Sequence, residues 1–207
     1  MQYAILARLF DCRMTILGDA WQSVNPYSAS TAEMISVEFG GATCVSLHKT
    51  FRSTAEIAHF ANRISPNPKL EVVERHGPEP EVLACTSRKQ ELNAIVERIE
   101  AFRNSAHNSL GIICKTRRQA ARLHQTLAKQ SSKIHLLDAH SATVANGVIV
   151  MSAYLAKGLE FDQVIVPEAD SNNYTDDMDR NLLYVACTRA MHRLTLTHVG
   201  SVSAFIQ

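Results

Sequence analysis

Short apolar runs alternate with amphipathic segments along the chain. Met14-Thr15-Ile16-Leu17 stops at Gly18-Asp19 and predicts a buried strand, and Thr43 to Leu47 predicts a second. Ser53 or Thr54 can cap a helix running to about Ile64, with Ile57, Phe60, Ala61 and Ile64 on one face. Glu56 sits in its first turn, and Pro66 and Pro68 end it. Residues 71–86 read as extended, with a turn at Gly77-Pro78. Ser87 caps a helix striped by Leu92, Ile95, Val96 and Ile99, and Thr116 opens another from Arg117 to Gln130. Leu110 to Cys114, Lys133 to Leu137, Val148 to Met151, Gln163 to Pro167 and Arg193 to Val199 read as strands, with a helix at Asp179 to Ala190. The acidic stretch Asp170 to Asp179 reads as a surface loop.

This alternation predicts an α/β fold, a mostly parallel sheet with helices on both faces. In such sheets ligands gather at the carboxyl ends of the strands. The 207 residues suit one domain, or one domain plus a remnant of another. A net charge of +1 argues against a surface built wholly for nucleic acid and leaves room for a local basic strip. The basic helix starts Ser87-Arg88-Lys89 and Lys115-Thr116-Arg117-Arg118 are solvated faces on the plainest reading, and the second could line the path of a strand. The five cysteines show no zinc or disulfide spacing, and the four in or beside apolar runs read as buried thiols. No leader or bilayer-length apolar run is visible, so the expectation is a cytoplasmic protein with no membrane role. The nine histidines are dispersed, no metal site is expected, and no Gly-x-Ser-x-Gly elbow occurs. A small-molecule enzyme is therefore disfavoured.

Four clusters carry chemistry. Gly18-Asp19 with Gln22 offers a carboxylate and an amide after a strand, although a strand-ending turn is the plainer reading. Phe51-Arg52-Ser53-Thr54 puts an arginine at a helix start, where unpaired amides also attract anions. Ala156-Lys157-Gly158-Leu159-Glu160-Phe161-Asp162 packs three charges around a glycine. Leu182 to Cys187 is too apolar for an exposed helix and delivers Thr188 and Arg189 at its end. A cation on a rigid buried helix is what an arginine finger requires, because it must meet developing charge without reorganising.

These clusters resemble, in order, motif III (Leu17-Gly18-Asp19-Ala20-Trp21-Gln22-Ser23), motif IV (Phe51-Arg52-Ser53), motif V (Ala156 to Phe161) and motif VI (Leu183 to Ala190) of the superfamily 1 UvrD and Rep helicases. The resemblance implies a RecA-like second motor domain of the P-loop NTPase class, residues 29–207, preceded at 1–28 by a remnant of the first motor domain. By position, Gln22 would sense the γ-phosphate, Arg52 and Arg189 would clamp it, and Glu160 would bond the ribose, with Gly158, Phe51 and Asp19 beside the nucleotide. Phe51 keeps the adenine-stacking ring of a usual tyrosine without its hydroxyl. Tyr27, Ser152 and Tyr154 would face single-stranded DNA, where base stacking is worth about 1–3 kcal/mol per base.

Tyr154 stands where motif V usually has a histidine. Ser152 to Lys157 and His48 to Thr54 are closer to a HelD-like branch that includes proteins acting on RNA polymerase. Residues 54–155, which separate motifs IV and V, leave no room for the large inserted subdomain of UvrD and Rep. No Gly-x-x-x-x-Gly-Lys-Ser/Thr loop occurs, so ATP and Mg2+ would be held mainly by an N-terminal motor domain upstream. The expectation is an ATP-dependent DNA helicase or translocase, stepping 3′ to 5′, whose C-terminal portion alone is inactive. The alternative is an ATP-driven remodelling factor acting on RNA polymerase.

Overall fold

The computed structural model describes residues 2–10, 12–17, 32–138 and 146–206. Its elements in chain order are α1 (Gln2–Leu9), α2 (Ala32–Glu38), β1 (Lys49–Thr50), α3 (Ala55–Ile64), β2 (Glu71–Val72), β3 (Glu81–Cys85), α4 (Arg88–Arg103) and β4 (Ser109–Cys114). There follow α5 (Arg117–Leu127), β5 (Ile134–Leu136), β6 (Gly147–Ser152), α6 (Ala153–Ala156), β7 (Phe161–Val166), α7 (Asp177–Cys187) and β8 (Ala190–Val199). Six strands form one sheet in the order β3-β8-β7-β4-β6-β5, every pairing parallel. β1 and β2 form a separate parallel pair. The expected α/β architecture is present.

Strand alternation divides the core into two layers. Ile113, Ile149, Met151, Val164 and Leu194 face α3, α6 and α7. Leu110, Ile112, Val148, Val150 and Ile165 face α4 and α5. A strand buried on both faces needs a continuous apolar run, which is why β4, β6 and β7 were legible as strands without any polar alternation. The local caps follow the sequence as well. Ser87 Oγ accepts from Gln90 N at 3.2 Å, and Thr116 with Gln119 completes a capping box at the start of α5.

Thr54 occupies the N-cap of α3, but its hydroxyl makes no cap hydrogen bond. The Ala55 amide, the first of the helix, donates to the Arg75 carbonyl at 2.8 Å. The helix expected to reach Gln130 stops at Leu127, and that expected over Asp179 to Ala190 runs Asp177–Cys187. Ala190 is withdrawn from the latter because it pairs with Phe161 as the first residue of β8.

Several expectations are corrected. Residues 14–17 and 43–47 are not strands; Leu17 and Leu47 are each 88% exposed. An apolar run becomes a strand only where a neighbouring strand takes its backbone groups, and the described sheet is composed of other segments. The unforeseen α1 and α2 pack on one another. Cys85, Cys114 and Cys187 are buried, but Cys12 and Cys44 are exposed for the same reason as the runs around them.

The acidic loop is not a simple surface loop, because Asp170, Tyr174 and Asp179 are buried. Asp170 Oδ1 accepts from the amides of Asn172 and Asn173, and its Oδ2 takes Arg88 at 3.0 Å. Asp179 takes the Thr175 amide and Lys115. Carboxylates can be buried where cations and backbone donors replace their water. Glu91, also buried, ties α4 to β8 by accepting from Thr197 Oγ1 at 2.8 Å and from the Glu168 amide at 3.0 Å. Among the described residues no helix is long and apolar enough to cross a membrane.

Gly111 in β4 lies under the buried Phe161 ring. A Cβ there would stand 2.7 Å from Phe161 Cδ2, inside any tolerable contact. Gly111→Ala should cost about 1–3 kcal/mol through this overpacking. Urea denaturation should show a lowered midpoint with little change in slope, and a midpoint matching the parent would contradict the packing described.

Candidate functional site

Two groups of residues gather at opposite ends of the sheet. Ser152 pairs with Cys114 at the carboxyl end of β6, whereas Phe161 pairs with Ala190 where β7 and β8 begin. The segment from Ser152 to Glu160 therefore crosses one face of the sheet and connects the two groups. Gly158 within it has φ of +88°, the left-handed conformation that glycine adopts without strain, and open space around its Cα.

At the amino end, Arg52 Nε donates to Glu160 Oε1 at 2.5 Å. The two side chains are 34% and 44% exposed, so this is a partly solvated pair that another ligand can enter. Phe51 beside it is 68% exposed, with the Lys49 ammonium 5.6 Å from its ring centre. The Phe161 amide donates to the Arg189 carbonyl at 2.9 Å, which joins the segment bearing Glu160 to the end of α7.

Arg189 differs from the expectation of a presented cation, since it is only 1% exposed. Its Nε donates to the Val185 carbonyl at 3.1 Å, its guanidinium to the Leu159 carbonyl at 3.3 Å and to Thr188 Oγ1 at 3.1 Å. It thus caps the negative end of α7 and tethers it to the residue before Glu160. Arg52, Glu160 and Arg189 are brought together, with Arg189 folded inward. All three lie at the amino end of β7 and β8, not at the carboxyl ends to which the general rule for open sheets assigns ligands.

At the carboxyl end, Ser152 is buried and its hydroxyl finds no partner among the described residues. It lines a shallow pocket of about 200 Å³ with Arg117, Leu137, Asp138 and Leu155. Tyr154 on α6 is 56% exposed. The basic helix starts are only partly available. Arg88 is committed to Glu91 and Asp170, and Lys115 to Asp179 and the Asn173 carbonyl, whereas Arg117 and Arg118 are exposed. Asp19, Gln22 and Tyr27 lie outside the described residues. So do Gly18 and the other residues of motif III from Ala20 to Ser23.

Sequence reading missed a polar cluster beside the Arg52–Glu160 pair. His107 and His192 stack with centroids 5.0 Å apart, and the Arg75 guanidinium lies 2.9 Å from His192 Nδ1. Burial, then the neighbouring Arg75 and His107, hold the His192 imidazole below its ordinary pKa, with Asp162 acting the other way. Asp162 Oδ2 accepts from Asn108 N at 2.8 Å and from both N and Oγ of Ser109 at 3.0 Å. Burial raises the Asp162 pKa, but those hydrogen bonds outweigh it and leave it lowered. Sequence spacing carried no signal for this cluster, because its members come from four separate segments.

The family described as the UvrD-like helicase C-terminal domain matches residues 147–197, which carry Ser152, Glu160 and Arg189. Among solved structures, the C-terminal domain of a possible DNA helicase from Lactobacillus plantarum WCFS1 is 34% identical with a TM-score of 0.66. The match covers 76% of this chain and 92% of that one. An Arterivirus nonstructural protein 10 helicase, solved with DNA, is 12% identical at a TM-score of 0.43, over 60% of this chain and 30% of that one. A likeness that weak carries no argument. No curated protein matches. The fold defines a helicase C-terminal domain class, and the chain belongs to the UvrD-like helicase C-terminal domain family.

The Asp162 latch yields a pH prediction. Its pKa is depressed in the folded state, so its contribution is present above the unfolded carboxylate pKa and is lost as pH falls through the folded value. Asp162→Asn should lower stability by about 1–3 kcal/mol at neutral pH and flatten the acid limb of the stability curve. Denaturant midpoints for both proteins between neutral and strongly acid pH check this, and parallel acid limbs would count against the latch.

Proposed function

We propose that this chain serves as the second motor domain of an ATP-driven DNA helicase or translocase. The observation that carries the reading is the shared exposed surface of Arg52 and Glu160, with the Phe51 ring beside it and the buried Arg189 anchored to Leu159 directly behind. The residue types fit a nucleotide. A guanidinium suits phosphate, a carboxylate suits a ribose hydroxyl, and an exposed ring suits a base. When bound, ATP supplies the phosphoryl group whose transfer to water drives closure and reopening against a partner motor domain. This sequence has no phosphate-binding loop, so that partner would hold the phosphates and Mg2+.

Within this chain, Arg52 exchanges Glu160 for phosphate, and Glu160 is then available to the ribose. Arg189 reaches the same surface by leaving Leu159 and Val185. The Val185 carbonyl keeps a donor when it does so, because Thr188 Oγ1 also donates to it at 3.0 Å. The exposed Tyr154 and Arg117 at the carboxyl end supply a ring and a cation for a single strand, whereas the Ser152 hydroxyl, expected to face it, is buried. A second reading, remodelling of RNA polymerase, is favoured by Tyr154 in the usual histidine position. Stimulation of ATP turnover by polymerase and not by single-stranded DNA would select it.

Two outcomes test the reading. The 207-residue chain alone should release phosphate from ATP only at background rate, with or without single-stranded DNA. Turnover that Arg189→Ala abolishes would sink that expectation. Joined to a domain carrying the phosphate loop, Arg189→Ala should leave nucleotide affinity nearly unchanged and cut turnover about 10³-fold or more, as measured by steady-state phosphate release.

A further inference from the structure

We propose that the Arg75-His76-Gly77 segment is a positioning clasp that sets where Arg52 stands; this rests on the reading of Arg52 as the phosphate-facing arginine. Each residue of the segment grips the start of α3. The Arg75 guanidinium donates to the Arg52 carbonyl at 3.2 Å, and the Arg75 carbonyl accepts from the Ala55 amide at 2.8 Å. His76 Nδ1 lies 2.8 Å from Glu56 Oε1, and the Gly77 amide donates to Glu56 Oε2 at 2.9 Å. Gly77 also lies so close to Thr54 that a Cβ would stand 2.7 Å from its Cγ2.

The clasp stands beside a helix start that lacks its side-chain cap. A threonine at an N-cap normally takes a helix amide with its own hydroxyl. Here Thr54 Oγ1 is buried without a partner among the described residues and its methyl packs toward Gly77, while the first amide of the helix, that of Ala55, is taken by the Arg75 carbonyl. That choice is costly locally and is explained if the chain is selecting the position of the Arg52–Thr54 bend over the best helix start.

The other end of Arg75 is fixed. Its guanidinium rests on His192, three residues beyond Arg189, and His192 stacks on His107 while facing Asp162, two residues beyond Glu160. One side chain therefore links the backbone at Arg52 to the strands that directly follow Glu160 and Arg189. A planar guanidinium can span the two contacts at once, whereas a lysine ammonium can keep only one.

The test reads Arg52 in the full chain without nucleotide. The Arg52 Nε–H signal is assigned by its loss in Arg52→Lys and followed by ¹⁵N-resolved NMR, with urea denaturation in parallel. Arg75→Met should move that signal toward exposed arginines and speed its exchange with water about three- to fivefold, the release expected of one partly solvated ion pair. Arg75→Lys should restore part of the shift. Leu127→Ala, destabilising but in the core layer on the other face of the sheet, should leave the signal in place, which separates positioning from general loss of stability. If Arg75→Met does not fold, His192→Leu cuts the same link from the far side and should move the signal in the same direction. An Arg52 signal unchanged in the folded variant overturns the clasp. Because no nucleotide is involved, a failure of the ATP reading would leave this result standing.

Discussion

The register between β7 and β8 is the constraint on which the site depends. Phe161 pairs with Ala190, and the Phe161 amide donates to the Arg189 carbonyl. That contact joins two segments distant in sequence and puts Glu160 next to the end of α7. A slip of one residue would turn the buried Val164 and Ile165 to the wrong layers, so the core on both faces fixes the register. Packing, not attraction between the functional groups themselves, brings the charges together.

Both arginines at the amino end are occupied in this conformation, and by the same short segment. Arg52 holds the Glu160 side chain and Arg189 holds the Leu159 carbonyl. The two contacts differ in strength. The first is half in water and easily exchanged, whereas the second is buried, and breaking it requires replacing a charged group's hydrogen bonds in a low-dielectric setting. At this end of the sheet one arginine, Arg52, is partly exposed and the other, Arg189, is buried, with Gly158 as the turn in the segment that connects them to the carboxyl end.

Burial of charge recurs elsewhere, always with its partners supplied. Glu91, Asp170 and Asp179 sit inside because Arg88, Lys115, Thr197 and loop amides meet them. These contacts secure α4 and the loop before α7 against the carboxyl end of the sheet. They also engage Arg88 and Lys115, which leaves Lys89, Arg117 and Arg118 as the exposed cations of the two basic helix starts outside these ion pairs.

By itself, the sequence determined the layered architecture, the strands β4, β6, β7 and β8, the caps at Ser87 and Thr116, and the motifs around Arg52, Glu160 and Arg189. Those features depend on near neighbours or on apolar runs long enough to demand burial on both sides. The runs at Met14 and Thr43 misled because apolarity alone does not provide a neighbouring strand. Only the tertiary structure decided that Arg189 turns inward, that the acidic loop is partly buried, that Arg75 reaches Arg52, and that the two histidines stack. Each of these depends on groups far apart in the chain meeting at a distance of a few ångströms, and the energies that select such contacts come from desolvation and hydrogen-bond geometry, neither of which is written in local spacing.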